Sequence, residues 1–262
     1  MRNGPSLIVM RFCLLLAACY QSVSCQKEIS GDSIPGSARL EVRFLPMVDT
    51  ETLVMGNNYQ NPFGEQYSVS AFKFYIHGIE FRYRGTSQAT GLNKDDHYLI
   101  DASQAATASV TIEVPSATYD GISFLIGVDS IRNVSGAHTG ALDPAHGMFW
   151  TWTTGYIMAK LEGNSPEAQT PNNVIEYHIG GFKGAENVIR RIHLDFPSGQ
   201  QLDLKKGARA TVNIFANINR WFNHTSAIRI TEKPVSMSPG PLATQIADNY
   251  ATMFTVAEVT HE

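Results

Sequence analysis

The run from Gly147 to Gly163, GMFWTWTTGYIMAKLEG, holds the side chains with the most chemistry to offer. In an extended segment successive side chains alternate, which would set Met148, Trp150 and Trp152 on one face and Phe149, Thr151 and Thr153 on the other. Core packing is the plain account of such aromatics in a strand. The sharper account is a copper site, for which a thioether and imidazole nitrogens are suitable donors, and that account needs histidines from elsewhere in the chain. Of the eight histidines, His178 stands out: it faces opposite to Tyr177 and Ile179, and the Gly180-Gly181 pair behind it lets backbone or ligand approach closely. His77 ends an aromatic run at Ile76-His77-Gly78. His138 and His146 flank the loop leading into the Trp-rich run, whereas His97, His193, His224 and His261 read as surface or turn residues. No two histidines have the i, i+2 or i, i+4 spacing of a local chelate, so a metal site must draw its ligands from separate strands.

Other chemistries find less support. The chain has no G-x-S-x-G elbow, no phosphate-cradling glycine loop followed by Lys, no H-E-x-x-H and no acidic calcium loop. No nucleophile can be matched to a general base, and the expectation is a protein without catalytic turnover. A net charge of -4 with no extended basic patch gives no footprint for nucleic acid.

The amino terminus reads as a bacterial lipoprotein signal, residues 1–25. Arg2 and Arg11 supply positive charge, Phe12 to Ala18 is apolar, and Cys19 or Cys25 would take the lipid after cleavage. The apolar run is too short to span a bilayer. All three cysteines lie in this segment, so the mature domain has no disulfide, zinc-thiolate or thiol-nucleophile chemistry. Residues 26–37, polar with Gly and Pro, read as a tether. The expected location is the periplasm or cell surface, held to the outer membrane through the lipid alone.

Elements that would position these residues are short strands. Leu40, Val42 and Phe44 alternate with Arg39, Glu41 and Arg43, and Phe72, Phe74 and Ile76 alternate with Lys73, Tyr75 and His77. Further strands are expected at Ser109 to Val114, Gly121 to Val128, Phe149 to Leu161, Val174 to Ile179, Val188 to Leu194 and Ala210 to Ala216. Turn residues punctuate them, as in Phe196-Pro197-Ser198-Gly199. This pattern predicts an all-β fold, a single β-sandwich over residues 38–262. A short C-terminal helix opens at Pro241 and buries Ile246, Tyr250 and Phe254.

A resemblance joins these pieces. Phe72-Lys73-Phe74-Tyr75-Ile76, Phe124-Leu125-Ile126-Gly127-Val128-Asp129-Ser130 with Asn133, Gly140-Ala141-Leu142-Asp143-Pro144, Met148-Phe149-Trp150-Thr151-Trp152, Gly155-Tyr156, Leu161-Glu162-Gly163, His178-Ile179-Gly180-Gly181, Trp221-Phe222 and Ala247-Asp248-Asn249-Tyr250 follow one another as in the MbnP family, which the chain resembles over nearly its whole mature length. The resemblance implies a secreted or lipid-anchored copper-binding protein, with ligands from two histidines and a kynurenine made by oxidising a tryptophan. It also implies a di-haem partner of the peroxidase type as the modifying enzyme. Carried over, His178 matches the family histidine and Trp150 or Trp152 the position that could become kynurenine. His77 is the choice for the second histidine, and Met148 is a candidate weak ligand. A different class of function stays open beside this one, in which Trp150, Trp152 and Tyr156 form a platform for a glycan or another protein without metal.

Overall fold

The computed structural model describes Met1 and residues 36–91, 96–152 and 155–262. The expected signal segment with Cys19 and Cys25, the tether up to residue 35, and Thr153 lie outside the described residues. From Ser37 the chain forms strands β1 (Ser37–Val48), β2 (Glu51–Thr52), β3 (Asn58–Gln60), β4 (Gln66–Tyr83), β5 (His97–Asp101), β6 (Ser109–Pro115) and β7 (Thr118–Ile126). A short helix α1 (Ser130–Val134) precedes β8 (Ile157–Asn164), β9 (Val174–Gly180), β10 (Arg190–Asp195), β11 (Leu202–Asp203), β12 (Arg209–Asn217) and β13 (Val235–Ser236). Helix α2 (Pro241–Tyr250) and β14 (Phe254–His261) close the chain. None of the described helices is long and apolar enough to cross a membrane.

Two sheets carry the fold. The first has five strands in the order β14-β12-β1-β2, with β6 also on β1; the second has nine along β10-β7-β4-β8-β9-β13, with β11 on β7 and β3 and β5 on β4. Most pairings are antiparallel, but β1 runs parallel to β12 and β13 parallel to β9. Alternation in β1 buries Leu40, Val42 and Phe44 while Arg39 and Arg43 face water. Their partners come from both sheets: the Phe44 ring lies 5.9 Å from Phe74, 5.5 Å from Phe124 and 6.1 Å from Phe254. Edge-to-face aromatic packing of this kind adds about 0.5–1.5 kcal/mol per pair beyond the area buried.

Strand β4 departs from simple alternation. Phe72, Phe74 and Ile76 point into the core as expected, but Tyr75 and His77 on the opposite face are buried as well. A sheet face is dry only when something covers it, and here the cover is chain between β7 and β8.

The Trp-rich run is the main difference from expectation. Instead of one strand from Phe149 to Leu161, the chain doubles back before β8 begins at Ile157. Trp150 N donates to Gly155 O at 3.1 Å and Ile157 N to Met148 O at 2.9 Å, with Phe149 bridged to Tyr156. Gly155, at φ +153°, occupies backbone space that other residues rarely adopt, and it permits the reversal. The expected strand at Val188 starts at Arg190. Helix α2 buries Ile246 and Tyr250 as predicted, but Phe254 belongs to β14, so a strand follows the helix.

Candidate functional site

The cover over the second sheet is fastened residue by residue. Gly127 N donates to Tyr75 O at 2.8 Å. Asp129 caps α1 by accepting from Ile131 N and Arg132 N at 2.9 and 3.0 Å. Asn133, 1% exposed, is the central clip: its amide donates to Val128 O at 2.7 Å and Asp129 O at 2.9 Å, and its oxygen accepts from Tyr156 N at 2.9 Å. Tyr156 Oη donates to Leu142 O at 2.9 Å and accepts from His138 N at 3.1 Å. Its ring stands edge-on to Tyr75 at 5.8 Å.

Strand register places the candidate ligands on the covered face. Lys73 pairs with Lys160 across β4 and β8, and Lys160 pairs with His178 across β8 and β9, so the three form one row. Period two puts Tyr75 and His77 on the same face as Lys73, and Gly180 on the same face as His178. His77 lies four residues from the row of His178 and two strands across. At about 3.3 Å per residue and about 4.8 Å per strand this separates them by about 16 Å. The fold does not bring His77 and His178 together.

His178 sits among charged neighbours. Its Nε2 lies 2.6 Å from Glu162 Oε1, and Lys160 Nζ lies 3.1 Å from the same oxygen. The hydrogen bond from His178, followed by the charge of Lys160, outweighs burial and holds the Glu162 carboxyl at about 2, so it is ionised and accepts only. On the far side of His178 along β9, Trp150 covers Gly180. A Cβ there would stand 2.4 Å from Trp150 Cζ3 and 2.9 Å from Tyr156 O, so only glycine admits the indole. Trp150 is 5% exposed, and its Nε1 has no hydrogen-bond partner among the described residues. It edges a cavity of about 130 Å³ with Phe182, Lys183 and Pro239. Trp152 is not its companion on a buried face. It is 64% exposed and leans on Trp150 at 5.5 Å between ring centroids. Met148 is fully buried. His146 Nε2 meets Gly140 O at 3.0 Å, while its backbone oxygen accepts from Lys73 Nζ at 3.3 Å.

His77 has different company. It pairs in register with His97 of β5, and the two rings stack at 4.5 Å and 12°. His77 Nδ1 donates to Gly127 O at 3.0 Å, and His97 Nε2 lies 3.3 Å from Asp129 Oδ2. Burial, then the neighbouring His97, lowers the His77 pKa to about 4, keeping the ring neutral at pH 7. His97 is therefore no surface residue; its side chain is 2% exposed. Imidazole lone pairs lie in the ring plane, so two near-parallel rings point them side by side rather than at one ion.

Among the described residues no group of three or more His, Asp or Glu side chains is arranged to hold a metal. A copper ion would need donors outside that set; the buried indole of Trp150, close along the face to His178, carries a proton on Nε1 and is no metal donor as it stands. The described residues there supply one imidazole, that of His178. Glu162, Lys160 and His97 were not singled out in the sequence. The first two carry a signal, since Lys160 and Glu162 alternate onto one face of a strand; the pairing of His97 with His77 is non-local and leaves none.

Fold and site together define a class: a two-sheet β protein whose second sheet holds histidines beneath a fastened cover that carries a buried tryptophan. The family model described as MbnP matches residues 37–238, and the chain belongs to the MbnP family. Among solved structures the chain is similar to MbnP from Methylosinus trichosporium, at 17% identity and a TM-score of 0.48, over 79% of this chain and 83% of that one. No curated protein matches it.

Proposed function

We propose that this chain is an extracytoplasmic copper-binding protein, tethered to the outer membrane through Cys25 or Cys19, that acquires, buffers or hands over the ion without turnover of its own. Family membership supports the reading. The observation that carries it is the neighbourhood of His178, an imidazole backed by an ionised carboxylate on one side and a buried indole with an unpartnered Nε1 on the other. His178 would hold copper through an imidazole nitrogen. Trp150 would supply the companion donor after a peroxidase-type di-haem partner, with two equivalents of peroxide as oxidant, cleaves the indole C2–C3 bond by adding two oxygen atoms and water then removes C2 as formate, leaving the aryl amine and ketone of kynurenine that tryptophan lacks. Copper bound there would be a cargo or store whose exchange is set by its ligands. His77 and His97 would serve the cover rather than the ion, and Met148 would pack beneath the turn.

Elemental analysis and intact mass of protein made in its native host test the proposal. Copper retained through dialysis and lost on His178→Ala, with a mass change on the Trp150 peptide, is the expected result. Absence of any saturable copper binding would overturn it. Exposure of Trp152 favours a second reading, an aromatic platform for a glycan or protein. That reading predicts ligand binding without metal, abolished by Trp152→Ala.

A further inference from the structure

We propose that the cleft between the β1–β2 turn and the β3–β4 hairpin binds a neutral oligosaccharide, at a site independent of the copper reading. The cleft has a volume of about 610 Å³ and is lined by residues 48–51 of the first sheet and by residues 58–62 and 66 of the second. Small-molecule sites commonly measure about 300–1,000 Å³. Ser68, two residues from Gln66, pairs with Asn164 at the end of β8 remote from the Trp-rich turn. The cleft therefore stands about 23 Å along the strand from that turn.

Its walls are held in place from behind. Asn219, 2% exposed, donates from Nδ2 to Asp49 Oδ2 at 2.8 Å on one wall and to Gln60 O at 3.0 Å on the other, and its oxygen accepts from Tyr67 Oη at 2.8 Å. Asp49, in the left-handed region at φ 51°, also donates from its N–H to Asn217 Oδ1 at 3.1 Å. Asn61 Oδ1 closes the hairpin by accepting from Phe63 N at 2.9 Å and Glu65 N at 3.0 Å. A cleft fixed in this way loses little conformational freedom when a ligand enters.

The ligand class follows from what the walls leave unpaired. Thr50, Glu51, Asn58 and Gln66 are exposed on the cleft, and their side chains make no hydrogen bond to another described residue. Each amide offers two N–H donors and an acceptor oxygen, the hydroxyl donates and accepts, and the carboxylate accepts. Adjacent hydroxyl groups, each a donor and an acceptor, match such a mixture. No Lys, Arg or His among the described residues lines the cleft, so an anion would meet no counter-charge. An apolar ligand would take these groups out of water without partners. Tyr59 and Pro62 add apolar surface for the C–H face of a sugar ring.

Titration of the isotope-labelled protein with maltotriose, mannotriose and triacetylchitotriose, followed by proton–nitrogen correlation spectra, tests the site. The expected result is a saturable shift of the Asn58 and Gln66 side-chain amide resonances with at least one of the three sugars at millimolar concentration, while the Trp152 indole resonance stays in place. Asn58→Ala and Gln66→Ala, both at exposed positions, should each weaken that binding about 3–10-fold. No saturable shift with any of the three sugars, shifts that follow Trp152 instead of the cleft amides, or unchanged affinity in both variants would overturn the inference. A response to calcium chloride with none to the sugars would overturn it too, and would reassign Asp49 and Glu51 to a cation. Copper uptake enters none of these results, so failure here leaves the copper reading untouched.

Discussion

His77 and His178 are the same residue type on the same face of the same sheet, yet their surroundings differ in kind. His77 stacks on a second imidazole, donates to a backbone carbonyl and is dried out under α1, so its neutrality serves the attachment of the cover. His178 faces a carboxylate and a lysine on one side and a glycine-seated indole on the other. A carbonyl and a carboxylate both fix a tautomer. Only the carboxylate adds negative charge beside the ring.

The comparison breaks most readily at the clip between the two ends. Asn133→Ala would leave Val128 O and Tyr156 N buried without their partner, at about 1–3 kcal/mol per group. Denaturant unfolding should show a loss of roughly 3 kcal/mol, together with faster hydrogen exchange at both ends of the cover. An effect confined to the Trp150 end would show that the two regions are not fastened together.

Acid sharpens the contrast. His77 has a folded pKa of about 4 against roughly 6.5 in the unfolded chain, so as pH falls the unfolded state takes up the proton first. Stability should be full above about pH 6.5 and decline towards pH 4, by up to about 3 kcal/mol. His77→Gln should flatten that slope in unfolding measurements across the window. An unchanged slope would assign the acid response elsewhere.

Gly180→Ala acts at the other end, pressing a methyl group into Trp150 and Tyr156 O. Overpacking of this kind costs about 1–3 kcal/mol, read as a lower melting temperature, and should expose the Trp150 indole to fluorescence quenchers. Trp152→Ala should have the smallest effect, within about 0.5 kcal/mol, because the residue is a surface side chain. A larger loss of stability would mean that Trp152 anchors the turn and is not free to serve a partner.

How much of this was legible in sequence depended on range. Leu40, Val42 and Phe44 declare their strand because alternation is local, and Pro241, Ile246 and Tyr250 declare α2 for the same reason. Gly180 and Gly181 announced a close approach, though not that Trp150 makes it. The Trp-rich run misled because alternation of aromatic and threonine residues suits either a strand or a tight reversal, and the decision fell to Gly155 and the cross-turn hydrogen bonds of Trp150 and Ile157. His97 read as a surface residue beside Asp96. Its burial follows from pairing with His77, twenty residues earlier, a contact that no local pattern announces.

By itself the sequence determined the all-β character, the residue types available to a soft metal and the glycines needed for close packing, since period, composition and steric freedom are properties of a few neighbouring residues. Tertiary structure alone decided that His77 meets His97, that His178 meets Glu162, that Trp150 is buried while Trp152 is exposed, and that His77 and His178 stand apart. Those outcomes depend on strand order, register and the route of the cover, which are fixed by contacts among residues distant along the chain.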